Sequence, residues 1–92
     1  VAMAQVRFTP NLKRFFPSLA PVELPGETVA ELMEAIEDLY PGIKAYLVDD
    51  QNSLREHVNV FVRGEMIGDR EKLSDTIGPK DEVYILQALS GG

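Results

Sequence analysis

The sequence predicts an α+β domain, a mixed sheet with one main helix packed across one face. Three observations carry that reading. Segments near both ends alternate apolar and polar residues, MAQVRFT at Met3–Thr9 and EVYIL at Glu82–Leu86, which is the period of a half-buried strand. Between them, one stretch repeats its apolar residues at helical spacing from Val29 to Tyr40. Pairs such as Pro25-Gly26, Pro41-Gly42 and Gly78-Pro79 punctuate the runs, as turns do.

Each element can be justified in order. In the first strand Val6 and Phe8 share one face, with Gln5 and Arg7 on the other. Pro10 and Pro17 bracket a loop, NLKRFF, with room for one helical turn anchored by Leu12, Phe15 and Phe16. A short second strand spans Val22 to Leu24. The helix then opens with TVAE, a capping box in which Thr28 is the N-cap and Glu31 reaches back to its amide. Val29, Leu32, Met33, Ile36, Leu39 and Tyr40 form its apolar stripe, and Glu27, Glu31, Glu34, Glu37 and Asp38 its solvated side. Ile43 to Val48 is apolar and open as to type, and Asp49 to Ser53 is a turn by composition.

The strongest strand signal is HVNVFVR at His57–Arg63, with Val58, Val60 and Val62 on one face and Asn59, Phe61 and Arg63 on the other. Gly64-Glu65 turns the chain into a short strand near Met66-Ile67. A loop carrying Leu73 and Ile77 leads to the last strand, where Val83 and Ile85 face inward and Tyr84 and Leu86 outward.

Composition removes several function classes. There is no cysteine, so no disulfide, thiolate metal site or cysteine nucleophile. Nine basic against fifteen acidic residues give a net charge of −6, which repels phosphate backbones and suits steering toward a basic protein surface. No apolar run approaches the roughly 18–20 residues of a membrane span, so neither membrane nor nucleic acid is an expected partner. With no signal peptide before the first strand, the expected location is cytoplasmic. His57, the lone histidine, has no metal or triad companions, and Asp49–Asn52 lacks the central glycine and the closing glutamate of a calcium loop. No metal site is expected. Gly64 and Gly68 belong to no phosphate cradle.

If the first and last strands are central, parallel neighbours, the order β-β-α-β-(β)-β is a β-grasp. That order, the helix spelled LPGETVAELMEAIEDLYPGI, the strand HVNVFVRGE, and DEVYIL running into Gly91-Gly92 together resemble the ubiquitin-like sulfur carriers. This is the group of the molybdopterin synthase small subunit, the thiamine and cysteine-synthesis carriers and the archaeal-type small modifiers. The resemblance covers about Val6 to Gly92. Relatives often place a glycine just before the DEV sequence, where this chain has Lys80, and often a proline-rich tail where this chain reads QALS.

The resemblance implies a β-grasp domain over residues 1–86 and a flexible tail over 87–92. It implies that the protein is no enzyme itself but is activated in trans, or serves as the small subunit of a synthase. An E1-like enzyme would adenylate the Gly92 carboxylate using ATP and Mg, no cofactor being bound by the carrier. A sulfur donor would convert the adenylate to a thiocarboxylate, for a downstream synthase or sulfur acceptor enzyme of the molybdopterin, cysteine or thiamine type. Six residues, Gln87 to Gly92, span about 20 Å when extended, and Gly91 and Gly92 have no Cβ to obstruct a narrow channel. Phe61, Tyr84 and Leu86, joined by Leu89 and Ser90 of the tail, are the expected partner-binding residues, since ubiquitin-like proteins resemble one another in docking through this side of the sheet. Two other readings stay open: a modifier conjugated through Gly92 to lysines, and an interaction module in which the glycines are incidental.

Overall fold

The computed structural model describes residues 3–87. Five strands form one sheet: β1 (Met3–Phe8), β2 (Val22–Pro25), β3 (Val58–Val62), β4 (Glu65–Met66) and β5 (Glu82–Gln87). Their spatial order is β2-β1-β5-β3-β4. β1 and β5 are the central pair and run parallel, with Val6 opposite Val83 and Phe8 opposite Ile85; every other pairing is antiparallel. The expected β-grasp is the observed fold.

The period of two decides which residues the sheet buries. Ala4 and Val6 of β1, Val58, Val60 and Val62 of β3, and Val83 and Ile85 of β5 all point to one face and are buried. Helix α1 (Val29–Leu39) lies over that face, burying Val29, Leu32, Met33 and Ile36. Leu39 departs from the expected stripe and is exposed. At ~100° per residue it stands roughly 80° off the line through Val29, Ile36 and Tyr40, at the edge of the stripe. Tyr40 does return to the core, edge-on to Phe8 at 6.2 Å.

The start of α1 leaves none of its first amides orphaned. Val29 and Ala30 donate to the carbonyls of Asp75 and Leu73, at 3.0 and 2.9 Å. Glu31 N–H goes to Thr28 Oγ1 at 3.2 Å, and Leu32 N–H to the Thr28 carbonyl. The Glu31 carboxylate accepts from the amide of Glu27 rather than of Thr28, at 3.0 Å; the box is thus closed one residue earlier than expected. The loop supplying those carbonyls is itself held by two carboxylates: Asp69 gathers the amides of Glu71, Lys72 and Ser74, and Asp75 those of Gly68 and Asp69. It also buries Leu73 and Ile77 as the sequence requires.

At the far end, Glu37 is not merely solvated. Its carboxylate accepts the amides of Gly42 and Lys44, at 2.8 and 2.9 Å, which holds its pKa below the usual range. These bonds turn the chain from α1 into α2 (Lys44–Leu47), the element left open by the sequence. The loop before β2 holds a 3-10 turn over Pro10–Arg14. Leu12 is fully buried and Phe16 partly so, but Phe15 is 51% exposed and stacks on Tyr46 instead of anchoring in the core.

The hairpin between β3 and β4 also differs from expectation. Its two turn residues are Arg63 and Gly64, both at positive φ (55° and 82°), between the directly paired Val62 and Glu65. Positive φ at both central positions is the two-residue turn whose twist matches the strands. Arg63 therefore belongs to the turn and not to the outer face of β3. Met66, opposite Phe61, takes a place on that face, while Ile67 is buried beyond the strand.

Candidate functional site

Strand register assembles a row of side chains across the uncovered face of the sheet. Arg7 of β1 is opposite Tyr84 of β5, Tyr84 is opposite Phe61 of β3, and Phe61 is opposite Met66 of β4. In a sheet, directly opposed residues point to the same face, so the four form one band perpendicular to the strands. Leu86, opposite Asn59, begins the next row. Phe61 and Leu86 are half-buried, whereas Tyr84 is 39% and Met66 54% exposed. Phe61, Tyr84 and Leu86 together line an open concavity with Arg7, Gly64 and Glu82 at its margin. Phe61, Tyr84 and Leu86 thus come together as their alternation in sequence suggested.

Charge surrounds this apolar band. Arg7 pairs with Glu82 at 3.7 Å, both well exposed. Arg63 pairs with Asp81, whose carboxyl is held below the usual range first by the Gly78 amide at 2.6 Å and then by Arg63. On the other flank Arg70 ties Asn59 Oδ1 to the Arg55 carbonyl, each at 2.7 Å. An apolar centre inside a polar rim is the anatomy of a protein interface. Among the described residues no group of three or more His, Cys, Asp or Glu side chains is placed to hold a metal ion, and no helix is long and apolar enough to cross a membrane.

β5 carries the concavity and also leads toward Gly91-Gly92. It extends to Gln87, which pairs with Val58. On its other side the Gln87 amide donates to Thr9 Oγ1 at 3.1 Å, and the Thr9 amide to the Ile85 carbonyl at 3.1 Å. Thr9 is 4% exposed, so its hydroxyl is a buried acceptor spent on the root of the tail. Leu89, Ser90, Gly91 and Gly92 lie outside the described residues. Sequence reasoning missed Met66, because Arg63 was read as strand rather than turn, and Thr9, whose partner 78 residues away leaves no local signal.

A mixed sheet crossed by one helix, with an apolar concavity on the strand that leads to a Gly-Gly pair, defines a ubiquitin-like β-grasp protein. Within that class the chain belongs to the ThiS family, whose model matches residues 6–92, and so to the ubiquitin-like sulfur carriers and modifiers. It is similar to a chain of the BexX/CysO complex of Amycolatopsis orientalis, at 30% identity over 97% of this chain and 99% of that one, with a TM-score of 0.82. The small archaeal modifier protein 1 of Methanosarcina acetivorans is 28% identical over 99% and 97%, TM-score 0.78. The CysO antigen of Mycobacterium tuberculosis is 26% identical over 94% and 99%, TM-score 0.80. No curated protein sequence matches the chain.

Proposed function

We propose that this chain is a sulfur carrier activated in trans at Gly92. The observation that supports the reading best is a family match running through Gly92 on a chain whose docking face and tail share one strand, β5. An E1-like enzyme, using MgATP, joins the Gly92 carboxylate to AMP, because a free carboxylate is a poor acyl donor and the adenylate provides a leaving group. The terminal sulfur of a persulfide-bearing donor displaces AMP to give an acyl persulfide. A thiol of the partner proteins then cleaves its S–S bond, forming a disulfide and releasing the thiocarboxylate, which feeds a synthase of the molybdopterin, cysteine or thiamine type.

The carrier's part is positional. The five residues beyond Gln87 reach about 17 Å when extended, enough to enter a partner while Phe61, Tyr84 and Leu86 dock on its surface. Leu89 and Ser90 make contacts along that path, and Gly91 and Gly92 let the backbone approach the nucleotide. Catalysis then belongs to the partners, and so do ATP and Mg.

A second reading, a modifier joined through Gly92 to lysines, is favoured by the similarity to small archaeal modifier protein 1. Both need the same activation. Intact mass after incubation with an E1-like enzyme, MgATP and a sulfur donor tests the first. The expected result is a gain matching one oxygen replaced by sulfur, absent when Gly92 is deleted. An isopeptide-linked ladder in cells without that gain would sink the carrier reading in favour of the modifier.

A further inference from the structure

The molecule has a second exposed apolar cluster, remote from the sheet face. Phe15 and Tyr46 stack at 4.8 Å with an interplanar angle of 21°. Phe16 stands edge-on to Tyr46 at 5.5 Å and is packed against the core, so the pair is held from beneath. Yet Phe15 is 51% and Tyr46 37% exposed. Two stacked rings fixed in place lose little side-chain freedom on binding, which is what makes aromatic residues good interface anchors.

Two cations adjoin the rings. Lys13 and Arg14 directly precede Phe15 and are exposed, and among the described residues neither makes an ion pair. On a chain of net charge −6, such a local positive spot selects a partner surface carrying carboxylates. A second copy of the chain is disfavoured by that same net charge, and two cations are too few to hold a nucleic-acid backbone.

Position then identifies the partner. The 3-10 turn starts at Pro10, next to Thr9, whose hydroxyl holds the Gln87 amide. At ~2.0 Å of rise per residue, Phe15 lies about 12 Å along the chain from that root. The turn buries Leu12 in the core under α1, so the cluster lies on the helix side while Phe61 and Tyr84 lie on the open side. Gln87, the last described residue, thus stands between two apolar surfaces of opposite aspect.

We infer that Lys13, Arg14, Phe15 and Tyr46 form a second docking surface, which takes an acidic, apolar-centred patch on the E1-like enzyme that receives the tail. The inference rests on the carrier reading. A partner touching both sides fixes the direction in which the tail departs, where the sheet face alone would leave it free to pivot.

The test is steady-state pyrophosphate release by an E1-like enzyme that adenylates the wild-type chain, with the chain as the varied substrate. K13E/R14E raises KM about tenfold, leaves kcat within about twofold, and flattens the dependence of KM on salt. F15A/Y46S gives a similar KM rise, and a thermal melt checks that it folds. K72E/K80E, which makes the same change in net charge elsewhere on the surface, serves as the comparison. An unchanged KM in K13E/R14E, or an equal rise in K72E/K80E, overturns the inference while leaving the carrier reading intact. A dimer dissolved by K13E/R14E with KM unchanged assigns the surface to a second copy and overturns it too. A wild-type chain that no such enzyme adenylates overturns the carrier reading and this inference with it.

Discussion

The two faces of the sheet are built from the same strands and alternate residue by residue, yet they answer to different demands. On the covered face, Val6, Val83, Ile85, Val60 and Val58 are all fully buried beneath α1. On the open face, their immediate neighbours Arg7, Tyr84 and Phe61 form the row that ends in Met66, and Asn59 stands opposite Leu86 in the next row. A strand shifted by one residue would exchange the two sets, so burial of the inner set fixes the position of the outer one. Folding energy thus places the open-face residues without depending on them.

The sharpest way to test that division is to truncate neighbours. Ile85→Ala removes a fully buried side chain between β1 and β3 and is expected to cost about 2–5 kcal/mol. Tyr84→Ala, one residue earlier, removes a cross-strand partner that is partly in water, and is expected to cost only about 0.2–1 kcal/mol while weakening binding to the activating enzyme about tenfold. Urea denaturation of both variants, with a binding isotherm for Tyr84→Ala, checks the pair. A Tyr84 variant as unstable as the Ile85 variant would end the claim that the faces are separable.

A smaller effect is expected where the chain turns into β5. Lys80 has φ +64°, a conformation that costs a residue with a Cβ roughly 1–2 kcal/mol. The resemblance implies a glycine at this place in many relatives, and a positive φ suits one. Lys80→Gly is expected to stabilise the fold by about 0.5–1 kcal/mol, since the relieved strain is partly offset by a freer unfolded chain. A lower urea midpoint for the variant would contradict this account of the strain.

The mildest expected effect concerns pH. The Asp69 carboxyl is lowered from 3.8 to about 2, chiefly by the Lys72 amide and then by the Ser74 hydroxyl, with the Ser74 and Glu71 amides adding to them. A carboxyl depressed in the folded state adds stability in full above its unfolded value near 4, and that stability is lost as pH falls toward 2. Glu37 and Asp81 act in the same direction. Thermal melts between pH 5 and pH 2 should therefore show Asp69→Asn below wild type at the upper end and converging with it at the lower. Parallel curves would mean that the loop under the start of α1 does not depend on this charge.

Most of the architecture was legible because it rests on short-range periods. Alternation in HVNVFVR and EVYIL gave both faces of the central strands, and TVAE with the 29-32-33-36 spacing gave α1 and its cap. The misreadings fall where a distant partner overrides a local pattern. Phe15 follows the apolar rule yet finds Tyr46 rather than the core. Glu37 looks solvated in sequence, but its carboxylate meets the amides of Gly42 and Lys44 after the chain has turned. Arg63 extends an alternating run but occupies a turn position, which moved Met66 onto the open face opposite Phe61. In the candidate site, Phe61, Tyr84 and Leu86 were accessible to pattern, whereas Thr9 was not. Its role depends on β1 lying parallel to β5.

That parallel pairing has a mechanical consequence. β5 is held on both sides, by β1 and by β3, and any load applied to the chain beyond Gln87 would pull it lengthwise. The bonds of both ladders lie across that direction, so the load falls on many of them at once in shear rather than peeling them singly from an edge. The Thr9 hydroxyl, which grips the Gln87 amide, is the first to feel the pull. A strand held in shear on two sides resists such a load better than one that can be unzipped from an edge.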